Sequence, residues 1–303
     1  MQFGIALPHF GSEASREAIV EAAQAAELLG FDSVWVLDRL LWPLEPISRY
    51  PGNPRGALPV PMQNTYDPMS VLAFVASCTR RVRLGTSVLV TAYRSPVLLA
   101  KMAATVDQLS GGRLILGLGA GWSADEFNAV GEPLAERRRR ADEYIRVLDT
   151  LWTQDEPSFE GEFYRVPKSI FLPKPAQKPR PPIWIGGNSA GALRRAARFG
   201  DGWHPTNRIG VAGLEQALRS LREWAGKRGQ DVKVPALSLR WNALPDLADP
   251  ADREDLVSRL RQYSEAGVEH VCFDLNIPAS RPMRAMIEAM TRLAWEVAPG
   301  VRR

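Results

Sequence analysis

The sequence predicts an α/β fold, a (β/α)8 TIM barrel formed by a single domain over residues 1–303. Short apolar segments alternate with longer segments of helical period, and eight strands can be counted in this way. Nearly every strand is followed by a helix, which is the crossover that parallel neighbours need. Eight such units close naturally into a barrel, and 303 residues is a usual length for one. An open doubly wound sheet is the alternative.

The predicted strands are short and apolar without interruption, because a strand of a parallel sheet is buried on both faces. Leu114 to Leu116 is the clearest case, and it leads directly into Gly117, Gly119 and Gly121. We predict strands at Met1–Leu7, Asp32–Leu37, Arg83–Val90, the segment from Leu114, Pro182–Ile185, Asp201–His204, Val234–Arg240 and His270–Asp274.

The helices are predicted from apolar residues at helical spacing together with end signals. Ser15 can cap the first helix, and Pro68 and Pro96 stand where the first turn of a helix accepts proline. Gly30 and Gly111 follow helices at the position that favours glycine. We predict helices over Ser15–Leu29, Pro68–Thr79, Pro96 to the residue before Gly111, Pro133–Trp152, the residues from Ser189 through Ala197, 211–227, Pro250–Ala266 and Arg281–Val297.

Two segments interrupt the alternation. Residues 40–67 are rich in Pro and Gly, and so long an irregular loop in a compact domain usually covers a site. We therefore predict an active-site loop there. Residues 155–178 follow the fourth βα unit and are interpreted as an insertion, with a small hairpin at Phe159–Tyr164.

Composition excludes several functions. A net charge of +4 with Lys and Arg spread along the chain gives no stripe for nucleic acid, and anionic small molecules are better candidates. No apolar run approaches the ~20 residues of a membrane span, and the N-terminus lacks a secretory pattern. Cys78 and Cys272 are predicted to be free buried thiols, so the protein is expected to be cytoplasmic.

Metal and hydrolase chemistry also lack their patterns. Three scattered histidines and two distant cysteines give no metal-ligand spacing, so no metal is predicted. No Gly-x-Ser-x-Gly elbow is present. The run Arg137 to Arg140 is interpreted as a solvated helix face, with contact to an acidic partner as the alternative.

In a barrel of this kind the chemistry lies at the carboxyl ends of the strands. Gly186–Ser189 joins a strand to a helix N-terminus, where free amide groups and the helix dipole favour an anion; a simple capped turn is the alternative. The residues that the predicted strand ends bring to this face are His9, Asp38, Arg39, Ser87 to Val90, Gly117 to Trp122, Gly186 to Asn188, His204 and Asp274.

Several of these side chains have two interpretations. Asp38 could pair with Arg39 to fix the loop, or accept a hydrogen bond from a heteroaromatic ring with Trp42 as an apolar wall. His9 and His204 have the pKa range for proton transfer, but a histidine near a strand end is often structural.

Several segments together resemble the luciferase-like monooxygenase superfamily, in its branch dependent on the deazaflavin coenzyme F420. They cover about two-thirds of the chain. The matching segments are Gly30–Val36, Arg83–Leu89, Arg94–Lys101, Leu109–Leu114, Gly117–Gly121, Pro182–Asn188 and Gly200–Trp203.

The resemblance implies a (β/α)8 barrel with a flavin or deazaflavin at its mouth. It further implies a cis peptide at Ser87–Val88 behind the ring, and Asp38 near the ring. Gly119, Ala120 and Gly121 would border the ring or its ribityl chain, and Gly186, Gly187 and Asn188 would hold the phosphate.

The sequence departs from the sugar-phosphate dehydrogenases of this superfamily at two places. Arg39 stands where those enzymes have histidine, and Trp122 where they have glutamate. Their activity is therefore not carried over, and a base would have to be His9 or His204. Arg39 remains protonated and is expected to bind an anionic substrate or a developing oxyanion. Trp42, Trp122 and His204 are the predicted substrate contacts.

The expected function is an oxidoreductase that transfers a hydride between F420 and an unidentified organic substrate. An FMN-dependent monooxygenase supplied by a separate flavin reductase is the alternative, and a non-catalytic flavin-binding protein is the third possibility. A homodimer is expected from the resemblance. The basic residues at and just after the insertion are predicted to meet the acidic tail of F420; they are Lys168, Lys174, Lys178 and Arg180.

Overall fold

The computed structural model describes residues 1–226 and 235–301, and the predicted element ends at Lys227 and Val234 lie outside them. Within these residues the strands of one large sheet run parallel. They are β1 (Gln2–Ala6), β2 (Ser33–Val36), β3 (Arg83–Thr86), β4 (Leu89–Val90), β5 (Leu114–Gly119), β8 (Ile183–Gly186), β9 (Gly202–His204), β10 (Ala236–Trp241) and β11 (His270–Phe273), with β6 (Phe159–Glu160) and β7 (Arg165–Val166) forming a separate hairpin.

The large sheet closes into the predicted barrel. Strand β1 pairs with both β2 and β11, and β3 pairs with β5, so no open edge remains between the first and last described strands. The third barrel strand is divided into β3 and β4, both of which pair with β5. Counted as one strand, they give the described part of the chain an eight-stranded barrel, which excludes the open doubly wound sheet.

The end signals in the sequence place most helices correctly. Ser15 caps α1 through the Ala18 amide, Pro68 and Pro96 open α2 and α3, and Gly111 ends α3 in a left-handed conformation at φ 68°. The described helices are α1 (Arg16–Leu28), α2 (Pro68–Cys78), α3 (Pro96–Ser110), α4 (Ala124–Ala129), α5 (Arg137–Thr153), α6 (Ala190–Phe199), α7 (Gly210–Gly226), α8 (Pro250–Glu265), α9 (Met283–Arg292) and α10 (Ala298–Val301).

Some elements differ from the predicted ones. The strand predicted from Leu114 is present as β5 and includes Gly117 and Gly119. Helix α4 was not predicted, and the helix expected over Pro133–Trp152 begins at Arg137, after a 3-10 turn at Leu134–Glu136. The last predicted helix contains a π-helical segment, Leu293–Val297. In the described residues no helix combines the length and apolar character that a membrane crossing needs.

Aromatic side chains fill the inside of the barrel. Trp35 stacks on Trp184 with ring centroids 5.3 Å apart, and both are buried. The paired residue on the adjacent strand is glycine in each case: a Cβ on Gly85 would lie 2.3 Å from the Trp35 ring, and one on Gly202 would lie 2.5 Å from Trp184. The interior is therefore a packed core, and a ligand can enter only at the ends of the strands.

Candidate active site

A cavity of about 580 Å³ opens at the carboxyl ends of the strands. Its walls come from the segments after β2, β4, β5, β8, β9 and β10, which the alternating chain brings to one face. Most of the predicted site residues line it: Asp38, Arg39, Ser87, Val88, Gly119, Ala120, Gly121, Trp122, Gly186, Gly187, Asn188 and His204.

The peptide bond between Ser87 and Val88 is cis, as the resemblance implied. Val88 then packs against glycines of the two neighbouring strands. A Cβ on Gly119 would lie 2.7 Å from Val88 Cγ2, and a Cβ on Gly186 would lie 2.7 Å from Cγ1. Both distances are too short for real carbon atoms, so glycine is needed at these positions for Val88 to form an apolar shelf at the cavity wall.

The Gly186–Ser189 turn leads into α6, as predicted. Ser189 is the N-cap and its hydroxyl accepts a hydrogen bond from the Ala192 amide at 3.2 Å. Gly187 has a φ of +112°, which an L side chain would strain. Asn188 Oδ1 accepts from the Thr206 amide at 2.9 Å, which fixes the turn to the segment after β9. A rigid turn at a helix N-terminus fits an anion, and we call residues 186–189 the phosphate turn.

Arginines surround the phosphate turn, which corrects the interpretation of Arg137 to Arg140 as a solvated face. Arg137 and Arg138 line the cavity, whereas Arg139 pairs with Glu162 and Arg140 with Glu132 and Glu136. Arg195 and Arg208, which were not predicted, also line the cavity.

A second groove of about 470 Å³ continues from the cavity across α5, α6 and α7. It shares Arg138, Gly191 and Arg195 with the cavity. Arg195 pairs with Asp142 at 2.5 Å. We call this second groove the arginine groove, after Arg138, Arg194, Arg195 and Arg198.

Asp38 pairs with Arg94 and not with its neighbour Arg39. Arg94 donates to its two carboxylate oxygens at 2.7 and 3.1 Å, and the Val90 amide donates at 3.0 Å. Burial raises the pKa of Asp38, and the hydrogen bonds from Arg94 oppose that effect. With three donors in place, Asp38 retains little acceptor capacity. It mainly joins the end of β2 to β4.

Arg39 pairs instead with Glu126 on α4. Its Nη1 lies 3.1 Å from Glu126 Oε2, and the two side chains are 4% and 1% exposed. The guanidinium lies 5.1 Å from the centre of the Trp122 ring. Among the described residues, Arg39 Nε has no hydrogen-bond partner although it is buried. A buried donor without a partner is costly, so Nε marks a polar group that the described residues leave unsatisfied next to the cavity.

Helix α4 also fixes the loop of residues 40–67. Glu126 accepts from the Leu40 amide at 2.7 Å, and Asp125 accepts from the Ile47 amide at 2.9 Å. The loop contributes Tyr50 and Met62 to the cavity, and the Tyr50 ring contacts Trp122 edge-on at 5.4 Å. Trp42, predicted to contact substrate, packs on the cluster around Met62 and is not among the lining residues.

The histidines occupy structural positions. His9 is fully buried and absent from the cavity lining; its Nε2 accepts from the Leu37 amide at 2.9 Å, and its Nδ1 lies 3.0 Å from the Leu7 carbonyl. Burial lowers its pKa to about 4. His204 lines the cavity, but its two ring nitrogens bond to Ser87 and Ser238. Neither histidine presents a free nitrogen, and both are neutral near pH 7.

Sequence reasoning missed Arg240, although Asp274 was recognised at a strand end. Arg240 lines the cavity and donates to the Ser87 carbonyl, to Asp274 and to Asn242. It therefore bonds to the carbonyl oxygen of the Ser87–Val88 cis peptide. Arg240 lies near the carboxyl end of β10, and this position alone could have identified it as a candidate site residue.

The basic residues at the insertion do not reach the cavity, which corrects the prediction that they meet an acidic tail. Lys168 pairs with Glu156, while Lys174 and Lys178 donate to nearby carbonyl groups. Arg180 pairs with Asp149 and Asp201. Arg180 and Asp201 precede β8 and β9, so they lie at the amino ends of the strands, opposite the cavity. The arginine groove is the positive surface next to the cavity.

The cavity has the features of a site for a flat, phosphate-bearing ring: an apolar shelf, a glycine-lined wall and an amide turn. The model of the luciferase-like monooxygenase family matches residues 1–281. The chain belongs to this family.

Known proteins of different cofactor use are similar to the chain. The FMNH2-dependent dimethylsulfone monooxygenase of Pseudomonas putida is 37% identical over 174 residues, which is 56% of this chain and 47% of that protein. The chain therefore matches about half the length of that relative. The monooxygenase RslO1 of Streptomyces bottropensis has a TM-score of 0.80 at 22% identity, and the match covers 99% of both chains. An F420-dependent secondary alcohol dehydrogenase has a TM-score of 0.78 at 20% identity, over 100% of this chain and 99% of that one. The two structures are evidence for the fold alone.

The family and this cavity support an enzyme with a flavin or deazaflavin cofactor. Two observations of the structure fit such a group. Gly119 and Gly186 let Val88 form an apolar shelf at the cavity wall, and Arg39 Nε is a buried donor without a partner among the described residues.

Proposed function

We propose that the protein is an oxidoreductase that transfers a hydride between F420 and an organic substrate. The arginine groove is the observation that supports this coenzyme. F420 carries an acidic tail beyond its phosphate, whereas FMN ends at the phosphate. A positive groove next to the phosphate turn would therefore bind the acidic tail of F420, whereas FMN has no group that would reach it.

The bound deazaflavin would supply the hydride chemistry at C5 of its ring. Val88 would support the ring from one side, and the phosphate turn would bind the phosphate through amide groups. The shelf and the turn lie on rigid strand ends, so the ring position would be fixed before the substrate arrives.

The substrate would lie near Arg39, Tyr50 and Trp122. The positive charge of Arg39 at the cavity wall would stabilise negative charge on a substrate oxygen. Burial raises the pKa of Tyr50, so its phenol stays protonated near pH 7 and can donate a hydrogen bond. The loop 40–67 would exclude water from the reacting atoms.

An FMN-dependent monooxygenase supplied by a separate reductase is the second candidate. The similarity to an FMNH2-dependent relative at 37% identity favours it. Both cofactors would use the same shelf and phosphate turn, so the two functions differ in what the arginine groove contributes.

Fluorescence titration of the apoprotein with F420 and with FMN tests the proposal. Reversing the charge at two groove positions, Arg194→Glu with Arg198→Glu, should weaken F420 binding about tenfold, or about 1.4 kcal/mol. FMN binding should change little. The control is Arg139→Glu, on α5 but outside both cavities, where Arg139 pairs with Glu162. Equal losses for both cofactors, or no loss for F420, would contradict the choice of coenzyme.

A further inference from the structure

Six buried side chains form an unbroken hydrogen-bond chain through the inside of the barrel to the cavity. None is more than 7% exposed. The links are Trp35 Nε1 to Ser33 Oγ at 2.8 Å, Ser33 Oγ to His270 Nε2 at 2.8 Å, His270 Nδ1 to Ser238 Oγ at 2.7 Å, Ser238 Oγ to His204 Nδ1 at 2.7 Å, and His204 Nε2 to Ser87 Oγ at 2.8 Å.

The hydrogens of this chain can be counted. The indole of Trp35 can only donate, each serine hydroxyl has one hydrogen to donate, and a neutral imidazole donates at one nitrogen and accepts at the other. Both histidines are neutral near pH 7, because burial lowers the pKa of His270 to about 3 and that of His204 well below its usual value.

The first link sets the order of the others. Since Trp35 donates to Ser33, the hydroxyl hydrogen of Ser33 has His270 Nε2 as its remaining acceptor within the described residues. His270 then donates from Nδ1 to Ser238, and Ser238 donates to His204 Nδ1. His204 in turn donates from Nε2 to Ser87. The opposite order would leave the Ser33 hydrogen unpaired in a dry core, which is costly.

We propose that this chain runs in one direction, from Trp35 to Ser87, and presents the Ser87 hydroxyl as a hydrogen-bond donor to an acceptor atom of the bound ring. The class of ligand rests on the proposed function: a carbonyl oxygen or imine-type nitrogen of a flavin or deazaflavin. The direction of the chain rests on the protein alone. Ser87 is the residue that touches the ligand, and Ser33, Ser238, His204 and His270 are positioning residues.

The packing of the barrel holds the chain in place. The Trp35 ring stacks on His204 with centroids 5.2 Å apart and an angle of 14°. A Cβ on Gly4 would lie 2.5 Å from Ser33 Oγ and from Trp35 Nε1, so this position needs glycine for the first link to form. Arg240 donates to the Ser87 carbonyl and the Ser87 amide donates to Val36, so the hydroxyl hydrogen is the polar group of Ser87 that no bond among the described residues uses.

Imidazole 15N spectroscopy of the ligand-free protein tests the direction. We expect His204 as the Nε2–H tautomer and His270 as the Nδ1–H tautomer. The protein has only three histidines, which can be assigned with the variants His9→Gln and His270→Gln. His9 is an internal control: it accepts at Nε2 from the Leu37 amide, so it must be the Nδ1–H tautomer. The opposite tautomer at His204 or at His270, or a charged ring at either, would overturn the proposal.

The donor role is tested with Ser87→Ala in titrations with F420 and FMN. We expect the cofactor that binds the wild type to lose about five- to tenfold in affinity. Ser33→Ala should mix the tautomers of both histidines and weaken binding about two- to threefold. Unchanged affinity in a folded Ser87→Ala protein would overturn the donor role. Failure of both cofactors to bind the wild type would instead refute the proposed function, and the tautomers would still decide the direction of the chain.

Discussion

Replacing Glu126 by glutamine tests the buried ion pair that holds Arg39 at the cavity. Glutamine keeps the shape of the side chain and an oxygen for the Leu40 amide. It removes the negative charge that faces the Arg39 guanidinium. Since the two side chains are 4% and 1% exposed, the arginine charge would remain buried without a counter-ion.

Breaking a buried pair on one side costs about 3–5 kcal/mol. Unfolding entropy of about 2.1 cal/mol/K per residue, taken over 303 residues, converts this into a fall in Tm of about 5–8 °C. Arg39→Met should cost somewhat less, because Glu126 keeps its bonds to Leu40 and to the Tyr93 hydroxyl at 2.6 Å.

Urea unfolding of the two single variants and of E126Q/R39M measures the coupling. We expect the double variant to lose about 2–3 kcal/mol less than the sum of the singles. The control is Glu136→Gln, whose pair with Arg140 is partly exposed and should contribute less than about 1 kcal/mol. Additive single losses, or a loss in E126Q no larger than in the control, would refute the ion-pair argument.

Two further predictions concern the shelf and the buried histidine. Gly119→Ala and Gly186→Ala each place a methyl group 2.7 Å from Val88; we expect a loss of about 1–3 kcal/mol in stability and weaker cofactor binding by titration. Gly191→Ala, whose Cβ would contact Ser189 at an ordinary 3.8 Å, should leave the stability unchanged. His9 has a pKa lowered to about 4 by burial, so the native state resists the protonation that the unfolded chain accepts below about 6.5. The free energy of unfolding should therefore decrease as the pH is lowered from about 6.5 to about 4, by about 3 kcal/mol more in the wild type than in His9→Gln. Equal pH slopes of the two proteins in urea unfolding would contradict this.

The fold was predictable because its signals are local. Apolar runs, proline at helix starts and glycine at helix ends are read over a few residues, and strand order follows from the parallel crossovers. The bend that divides β3 from β4 could be placed only through the resemblance, because nothing in the residues around Ser87 marks a cis peptide.

The partners of the site residues were less predictable, because they depend on contacts between distant segments. Asp38 forms an ion pair with Arg94 and Arg39 forms one with Glu126, although Asp38 and Arg39 are adjacent in the sequence. Burial changed the interpretation of His9, since nothing in its neighbours shows that both ring nitrogens meet backbone groups. Arg137 and Arg138 line the cavity whereas Arg139 and Arg140 pair with glutamates, a difference that a run of four identical residues does not show.

A crystal structure of the protein with F420 bound would test the central claim most directly. We predict that the deazaflavin ring lies against Val88 at the mouth of the barrel and that the phosphate accepts hydrogen bonds from amide groups of the phosphate turn. Binding of the coenzyme elsewhere on the protein, or a phosphate that does not contact residues 186–189, would contradict it.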